Sequence, residues 1–339
     1  MQTVFARGEK VPAARRLRLA RNLLLMAGAV TLLIYPWVFS LPFPRHLMIM
    51  VFLYATLAQA WNILGGYAGQ MSLAQHVFFG AGAYTSTLLL VKLGLSPWLG
   101  AFASVVVASC LAIIIGYPCF KLKGHYFSIA TLIIGEISLT AMINWKWAGG
   151  AAGLLIPYLE RSSLVLFQFS DKLPYYYIAL GMAALVFITV HRIERSKPGY
   201  YFRAIKDDPD ATQMLGIDIG RYRLLAFAIH AAFTAATGVF YAQYVLFIDP
   251  DSVFLYMTSV LAMLSAILGG LGTLWGPLLG TLVLVPLSEL TRVHWGGGGR
   301  AVHLVVYGVL IIVLAVYRPT GLMGLIRQFK RRRLGRWLS

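Results

Sequence analysis

SKPGYYFRAIKDDPDATQMLGIDIG, residues 196–220, is a charged stretch rich in helix-forming residues, and it lies between long apolar segments. We call it the polar loop. Asp208 is suited to cap a helix, Pro209 to occupy the first helical position and Gly216 to end the helix. The sequence therefore predicts a short helix here, of about two turns, which would be marginal alone in water and needs a surface to pack on.

The polar loop also carries the residue types of an interface. Tyr201, Phe202 and Ile205 place aromatic and apolar groups beside Arg203 and Lys206. Aromatic residues combined with arginine are typical of interface anchors. We interpret the polar loop as a docking surface for a soluble partner, and the alternative is a solvated loop that contacts lipid headgroups.

Composition indicates that lipid surrounds most of the chain. The 339 residues are 59% hydrophobic and only 12% charged, whereas soluble domains are about 25% charged. A net charge of +17 would suggest nucleic acid in a soluble protein. Here the basic residues lie at the ends of apolar segments, so membrane topology explains them better and no nucleic-acid partner is expected.

Apolar segments near the length that a bilayer requires, about 20 residues, predict an all-α polytopic transmembrane helical bundle of eight to ten spans. The first is interpreted as an uncleaved helix after a basic N-terminus. The ten candidates are residues 22–39, 46–64, 73–91, 98–118, 126–144, 175–191, 222–247, 254–268, 274–290 and 302–317.

The distribution of basic residues predicts the orientation of these spans. With ten spans and both termini in the cytoplasm, inside segments hold 22 of the 29 Lys and Arg residues. Basic residues are retained on the cytoplasmic side. We therefore expect a multi-pass protein of a bacterial inner membrane with the polar loop in the cytoplasm.

Two glycine-rich segments interrupt the apolar spans without adding charge. The first glycine break comprises residues 65–73, with Gly65, Gly66 and Gly69, and the second comprises residues 269–277. Paired breaks indicate discontinuous helices and a binding site near the middle of the membrane. The alternative is close helix packing through small residues.

Candidate translocation-path residues lie in and near the first break. Gln70, Ser72 and Gln75 lie in or beside it as uncharged polar groups, and Glu136 is a carboxylate inside the fifth span. A carboxylate at membrane depth is costly, which suggests a function such as contact with a substrate ammonium group. The alternative is a packing role with a hydrogen bond to Thr131 or Thr140.

The residues offer no catalytic constellation. Cys110 and Cys119 have neither metal-ligand nor disulfide spacing, and no G-x-x-x-x-G-K-[ST] motif is present. We expect no metal site, no cofactor and no ATP hydrolysis in this chain. A self-sufficient secondary carrier with Glu136 as its proton or ion site remains a second hypothesis, and a membrane-embedded enzyme is a remote third.

Several motifs together resemble the LivM-type permeases, the membrane subunits of branched-chain amino acid ABC importers. They are WNILGGYAGQMSLAQHVFFGAGAYTS at residues 61–86, the polar loop with the helix that follows it, AILGGLGTLWGPLLG at residues 266–280, and YRPTGLMGL at residues 317–325. The chain departs from the family pattern at His76, where glycine is common, and at Pro209, where an acidic residue is frequent.

The resemblance implies a machine of several subunits. A second permease subunit, two cytoplasmic ATPase subunits that bind ATP and Mg²⁺, and a periplasmic substrate-binding protein are expected partners. Implied domains are basic tails at 1–21 and 318–339, transmembrane halves at 22–191 and 223–317, and an ATPase-coupling loop at 192–222. The expected coupling residues are Tyr201, Arg203, Ile205, Lys206, Asp207, Asp208, Asp210, Met214 and Gly216.

The cargo implied by the resemblance is leucine, isoleucine or valine. Permeases for urea and for aromatic or other small organic acids look much alike, so they stay open as alternatives.

Overall fold

The structure, a computed structural model, describes residues 26–28, 30–39, 41–122, 124–157, 163–295, 308–309 and 321–324. These residues form helices almost throughout, and the predicted all-α class is confirmed. The helices are α1 Met26–Val38, α2 Pro42–Asn62, α3 Gln75–Leu93, α4 Pro97–Cys119, α5 His125–Asn144, α6 Lys172–Glu194, α7 Lys197–Asp207, α8 Pro209–Met214, α9 Ile219–Val245, α10 Pro250–Val253, α11 Tyr256–Gly269 and α12 Gly276–Trp295.

Local sequence signals explain where several helices begin and end. Proline occupies the first turn of α2, α4, α7, α8 and α10, where its missing N–H costs no hydrogen bond. Asp171 and Asp218 cap α6 and α9 by accepting hydrogen bonds from the backbone amides of Lys172 and Arg221. Gly94 ends α3 with a left-handed φ of 66°.

Six segments in the described part of the chain are long and apolar enough to cross a membrane: Pro42–Tyr67, Pro97–Cys119, His125–Asn144, Lys172–Glu194, Ile219–Val245 and Pro250–Gly269. α1 and α12 are shorter apolar helices. α3 is long enough but less apolar, because it carries buried polar residues such as Gln75 and His76. Each of the first nine predicted spans coincides with a helix, whereas the tenth, residues 302–317, lies outside the described residues except for 308 and 309.

α2, α3 and α9 form the centre of the bundle. Small residues let these helices approach closely: the Cα of Gly82 faces the backbone of Ala235, and Gly238 faces the carbonyl of Phe79. In the span Pro42–Tyr67, which contains α2, 83% of the residues in the most apolar 18-residue stretch are buried, whereas in α5 only 17% are. α5 therefore lies at the edge of the bundle and presents most of its surface outward.

A short antiparallel pair joins two loops at one end of the bundle. β1 (Leu154–Leu155) pairs with β2 (Phe247–Ile248), with Leu154 opposite Ile248. The polar loop lies between α6 and α9, and it consists mainly of α7 and α8. Six long apolar helices in one chain make this a multi-pass membrane protein.

Candidate functional site: the polar loop on two glycine breaks

α7 is an amphipathic helix whose apolar side is seated on the membrane-spanning helices. Phe202 and Ile205 are buried, and the ring of Tyr201 meets that of Tyr222, at the start of α9, with centroids 4.8 Å apart. The other side of α7 carries charged residues. The polar loop is therefore a fixed surface of the protein, because α7 is docked along its length.

α8 forms as its sequence predicts. The Asp208 carboxylate accepts a hydrogen bond from the amide of Ala211 at 3.0 Å, and Gly216, two residues after the helix, has a φ of 79°. Thr212 points inward and is buried. Asp207 and Asp210 are exposed beside the helix, so the acidic groups face solvent at the surface of the loop.

The end of α8 displays two apolar side chains. Met214 is 89% exposed and Leu215 is 79% exposed. Both are adjacent to the turn at Gly216, so they project from the polar loop without covering any of its own residues. An apolar pair held out in this way by a capped helix is suited to enter a groove on another protein.

The first glycine break begins within a π-helical turn, Ile63–Tyr67, that continues α2. A π turn is rare and is often found at functional sites. Gly66 lies so close to the second break that a Cβ atom there would stand 2.6 Å from the amide nitrogen of Gly272. Glycine is required at this position because any side chain would push the two breaks apart.

Asn62 joins the two breaks through its side-chain amide. Its Oδ1 accepts a hydrogen bond from the Gly272 amide at 2.9 Å, and its Nδ2 donates to the Thr273 carbonyl at 3.1 Å. Gln59, one turn earlier, donates from Nε2 to the Leu274 carbonyl at 3.2 Å. We call this contact between the two breaks the glycine junction.

The polar loop reaches the glycine junction through two basic side chains of α7. Lys206 Nζ donates a hydrogen bond to the Gly66 carbonyl at 2.8 Å. Arg203 Nη2 lies 2.8 Å from Glu194 Oε1, and its guanidinium lies 5.7 Å from the centre of the Tyr67 ring. Both side chains were expected to contact an ATPase, and in this chain both are engaged with its own residues.

A cavity of about 760 Å³ lies between α8, the start of α9 and the end of α4. Gln70, Lys121, Asp210 and Arg223 are among the residues that line it. The Gln70 amide oxygen, oriented by its hydrogen-bond network, accepts from Arg223 Nη2 at 3.1 Å. The cavity thus brings together Gln70, a predicted path residue, and Asp210, a predicted coupling residue.

Ser72 and Gln75 lie away from this cavity and inside the bundle. Ser72 is buried and its Oγ accepts a hydrogen bond from the Ala74 amide at 3.2 Å, next to the start of α3. Gln75 is buried and its Nε2 donates to the Leu57 carbonyl of α2 at 2.9 Å. The Gln75 contact holds the start of α3 against α2, whereas the Ser72 side-chain contact stays within the segment that precedes α3.

Glu136 lies on the exposed side of α5, next to the exposed Ile137. Thr131, one candidate partner for a packing role, is instead occupied with the Leu73 amide at 3.0 Å and the Ser128 carbonyl at 2.9 Å. A carboxylate that faces outward from the middle of a membrane helix is costly in lipid. The face of α5 that bears Glu136 therefore calls for protein or water beside it.

Sequence reasoning missed Asn62, Glu194 and Leu215. Asn62 directly precedes the π turn of the first glycine break, and a polar residue inside an apolar span was a signal that could have identified it. Leu215 follows Met214, and its exposure was not readable from the sequence because both residues are apolar. Glu194 becomes relevant only through its ion pair with Arg203.

The chain is similar to known membrane transport permeases. Residues 44–315 match the family model described as branched-chain amino acid transport system / permease component. The chain is 27% identical to the high-affinity branched-chain amino acid transport permease LivM of Salmonella typhimurium, over 94% of this chain and 78% of the relative.

Two further relatives come from other organisms. A probable LivM permease of Methanocaldococcus jannaschii is 26% identical over 65% of this chain and 67% of its own length. The permease BraD of Pseudomonas aeruginosa is 27% identical over 80% of this chain and 91% of its own length. No solved structure gives a significant match.

Proposed function

The chain belongs to the branched-chain amino acid transport system permease family, and on that premise we propose that it is a membrane-spanning subunit of an ATP-driven importer for leucine, isoleucine or valine. It catalyses no reaction itself. Two ATPase subunits in the cytoplasm supply the energy, a second permease subunit completes the membrane pathway, and a periplasmic binding protein delivers the substrate.

One structural observation supports this mechanism of energy coupling. The polar loop is exposed at the α8 tip, where Met214 and Leu215 project, and is joined to the glycine junction near its middle, where Lys206 at the end of α7 donates to the Gly66 carbonyl. A soluble motor that holds the tip therefore has a mechanical connection to broken helices in the membrane. ATP binding would bias these helices between two arrangements, which is the basis of alternating access.

The orientation proposed for the chain follows from the same arrangement. The polar loop must face the cytoplasm if ATPase subunits bind it, and the excess of basic residues in the predicted inside segments agrees. Binding of a cytoplasmic ATPase to the loop, argued in the Discussion, tests this orientation directly because an ATPase cannot reach a loop on the opposite side.

The function is tested by reconstitution. We expect proteoliposomes that hold this chain together with the ATPase and permease subunits encoded beside it to take up labelled leucine when ATP and the loaded binding protein are supplied. Substituting urea or an aromatic acid for leucine identifies the cargo among the alternatives. Uptake by this chain alone, driven by a proton gradient and indifferent to ATP, would instead establish a secondary carrier.

Glu136, Gln70 and the glycine residues Gly65, Gly66 and Gly69 are proposed to lie along or beside the substrate path. The exposed position of Glu136 supports this, because a carboxylate facing lipid is costly. We place the second permease subunit, with the substrate path between the two subunits, against this face of α5.

Replacing Glu136 by leucine is expected to lower leucine uptake at least about tenfold, since a charge-assisted contact typically contributes about 1.5–3 kcal/mol. ATPase binding should not change, because α5 packs mainly on α3, α4 and α10, and Glu136 is on its exposed side. Uptake rates and ATPase pull-down from the same membranes measure the two effects. Thr140→Ala, on the exposed side of the same helix, is the control and should transport normally; equal uptake by Glu136→Leu would remove this residue from the path.

A further inference from the structure

The ammonium group of Lys206 is directed toward the membrane helices of its own chain. Its Nζ donates to the Gly66 carbonyl at 2.8 Å. Gly66 lies in the π turn with which α2 ends, and carbonyls at the end of a helix lack the next turn as a partner. A cation at this end also interacts favourably with the helix dipole, so Lys206 completes the broken end of α2.

The Lys206 side chain contacts glycine residues of both breaks. A Cβ atom on Gly69 would stand 2.9 Å from Lys206 Cγ, and Gly69 has a φ of 71°, which glycine adopts readily. A Cβ atom on Gly272 would stand 3.5 Å from Lys206 Nζ. One side of Lys206 thus lies against glycine residues of both breaks, while the residue as a whole stays exposed.

The part of α7 that precedes Lys206 is fixed to the membrane helices. Ile205, the preceding residue, is buried, and Arg203 is paired with Glu194 at the end of α6. A displacement of α7 therefore moves the Lys206 ammonium relative to Gly66 or carries Gly66 with it. Because Asn62 joins the first break to the second, such a displacement reaches both breaks.

We propose that Lys206 is a positioning residue that transmits movement of the polar loop to the glycine junction, and that it does not contact the ATPase. This inference rests on the proposed function, since it assigns a path for the energy of ATP within that machine. The α8 tip contacts the ATPase, and the hydrogen bond from Lys206 to Gly66 transmits the movement to the glycine junction.

The test separates docking from coupling in the reconstituted transporter. Lys206→Met retains most of the aliphatic stem and removes the ammonium. We expect wild-type ATPase pull-down and continued ATP hydrolysis, with leucine uptake per ATP reduced about tenfold, the size of effect expected from losing one charge-assisted hydrogen bond. Lys206→Arg, which keeps a cation, should recover part of the loss.

Lys197→Met is the matched control, because Lys197 is an exposed lysine of the same helix. It should couple uptake to hydrolysis as the unmodified protein does. Unchanged uptake per ATP in Lys206→Met would overturn the proposal. Loss of ATPase pull-down in Lys206→Met would also overturn it, and would place Lys206 in the ATPase interface.

A chemical rescue keeps the test decisive if Lys206→Met does not accumulate in the membrane. In a background with Cys110→Ala and Cys119→Ala, Lys206→Cys is alkylated with 2-bromoethylamine, which restores an ammonium group on a thioether stem. Recovery of uptake per ATP after alkylation supports coupling, and failure to recover in folded protein contradicts it. Failure of the proposed function itself would appear differently, as ATP-independent uptake or as no effect of changing the α8 tip.

Discussion

Replacing Met214 and Leu215 together by aspartate is expected to abolish binding of the ATPase subunits to the membrane subunits. The two side chains are 89% and 79% exposed, so the substitutions remove no contact within this chain. Burial of one such side chain contributes about 1.5–3 kcal/mol, and a carboxylate in an apolar groove adds a desolvation cost. A loss of more than about 100-fold in affinity follows, where 1.4 kcal/mol corresponds to tenfold.

Pull-down of the ATPase from detergent-solubilised membranes measures this loss. Leu164→Asp combined with Val165→Asp is the matched control, because it also changes two adjacent exposed apolar residues to carboxylates, in the segment between α5 and α6. That control should bind the ATPase normally. Wild-type pull-down from the Met214/Leu215 variant, or equal loss in both variants, would show that α8 is not the contact.

The polar loop has an exposed tip in α8 and a packed helix in α7, and this difference is the physical basis of the proposed coupling. The α8 tip is highly exposed at Met214 and Leu215, while α7 is held by buried Phe202 and Ile205. A pull at the tip is transmitted through a packed helix, and packed interfaces have few alternative arrangements. The loop can therefore act as a rigid lever and not as a flexible tether.

Local signals in the sequence were sufficient for the parts of this fold that depend on neighbouring residues. Asp208, Pro209 and Gly216 specify α8 by capping, by a fixed φ and by a left-handed turn. The apolar spans were identified by length and composition because lipid requires a continuous run of apolar residues in a helix. These features do not depend on which helices become neighbours.

Partners that are distant in the sequence could not be predicted in the same way. Lys206 and Gly66 are 140 residues apart, and only the packing of α7 on the end of α2 brings them together. Gln75 and Glu136 were both polar residues in apolar spans, yet one is buried against α2 and the other faces outward. Which side of a helix faces a neighbour is decided by the assembly of the bundle, and the hydrophobic pattern of a membrane helix records it weakly.

Asn62 is the residue whose replacement is expected to damage the membrane core most. It is fully buried, and its amide is bonded both to the Gly272 amide and to the Thr273 carbonyl. Asn62→Leu leaves one backbone donor and one backbone acceptor unpaired in the interior. Each unpaired group costs about 1–3 kcal/mol, and the total is a large fraction of the stability of an ordinary domain.

We therefore expect Asn62→Leu to lower the Tm of the purified protein in detergent and to abolish leucine uptake. Asn62→Asp is expected to fail as well, because its carboxylate can accept from Gly272 but cannot donate to Thr273. Asn144→Leu is the matched control, since Asn144 is exposed at the end of α5 and bonds only the Thr140 carbonyl of its own helix in the described structure; its effect should stay within about 0.5 kcal/mol. If Asn62→Leu melted at the same temperature as Asn144→Leu and still transported leucine, the two breaks would not depend on this amide, and the path from the polar loop into the membrane would have to run elsewhere.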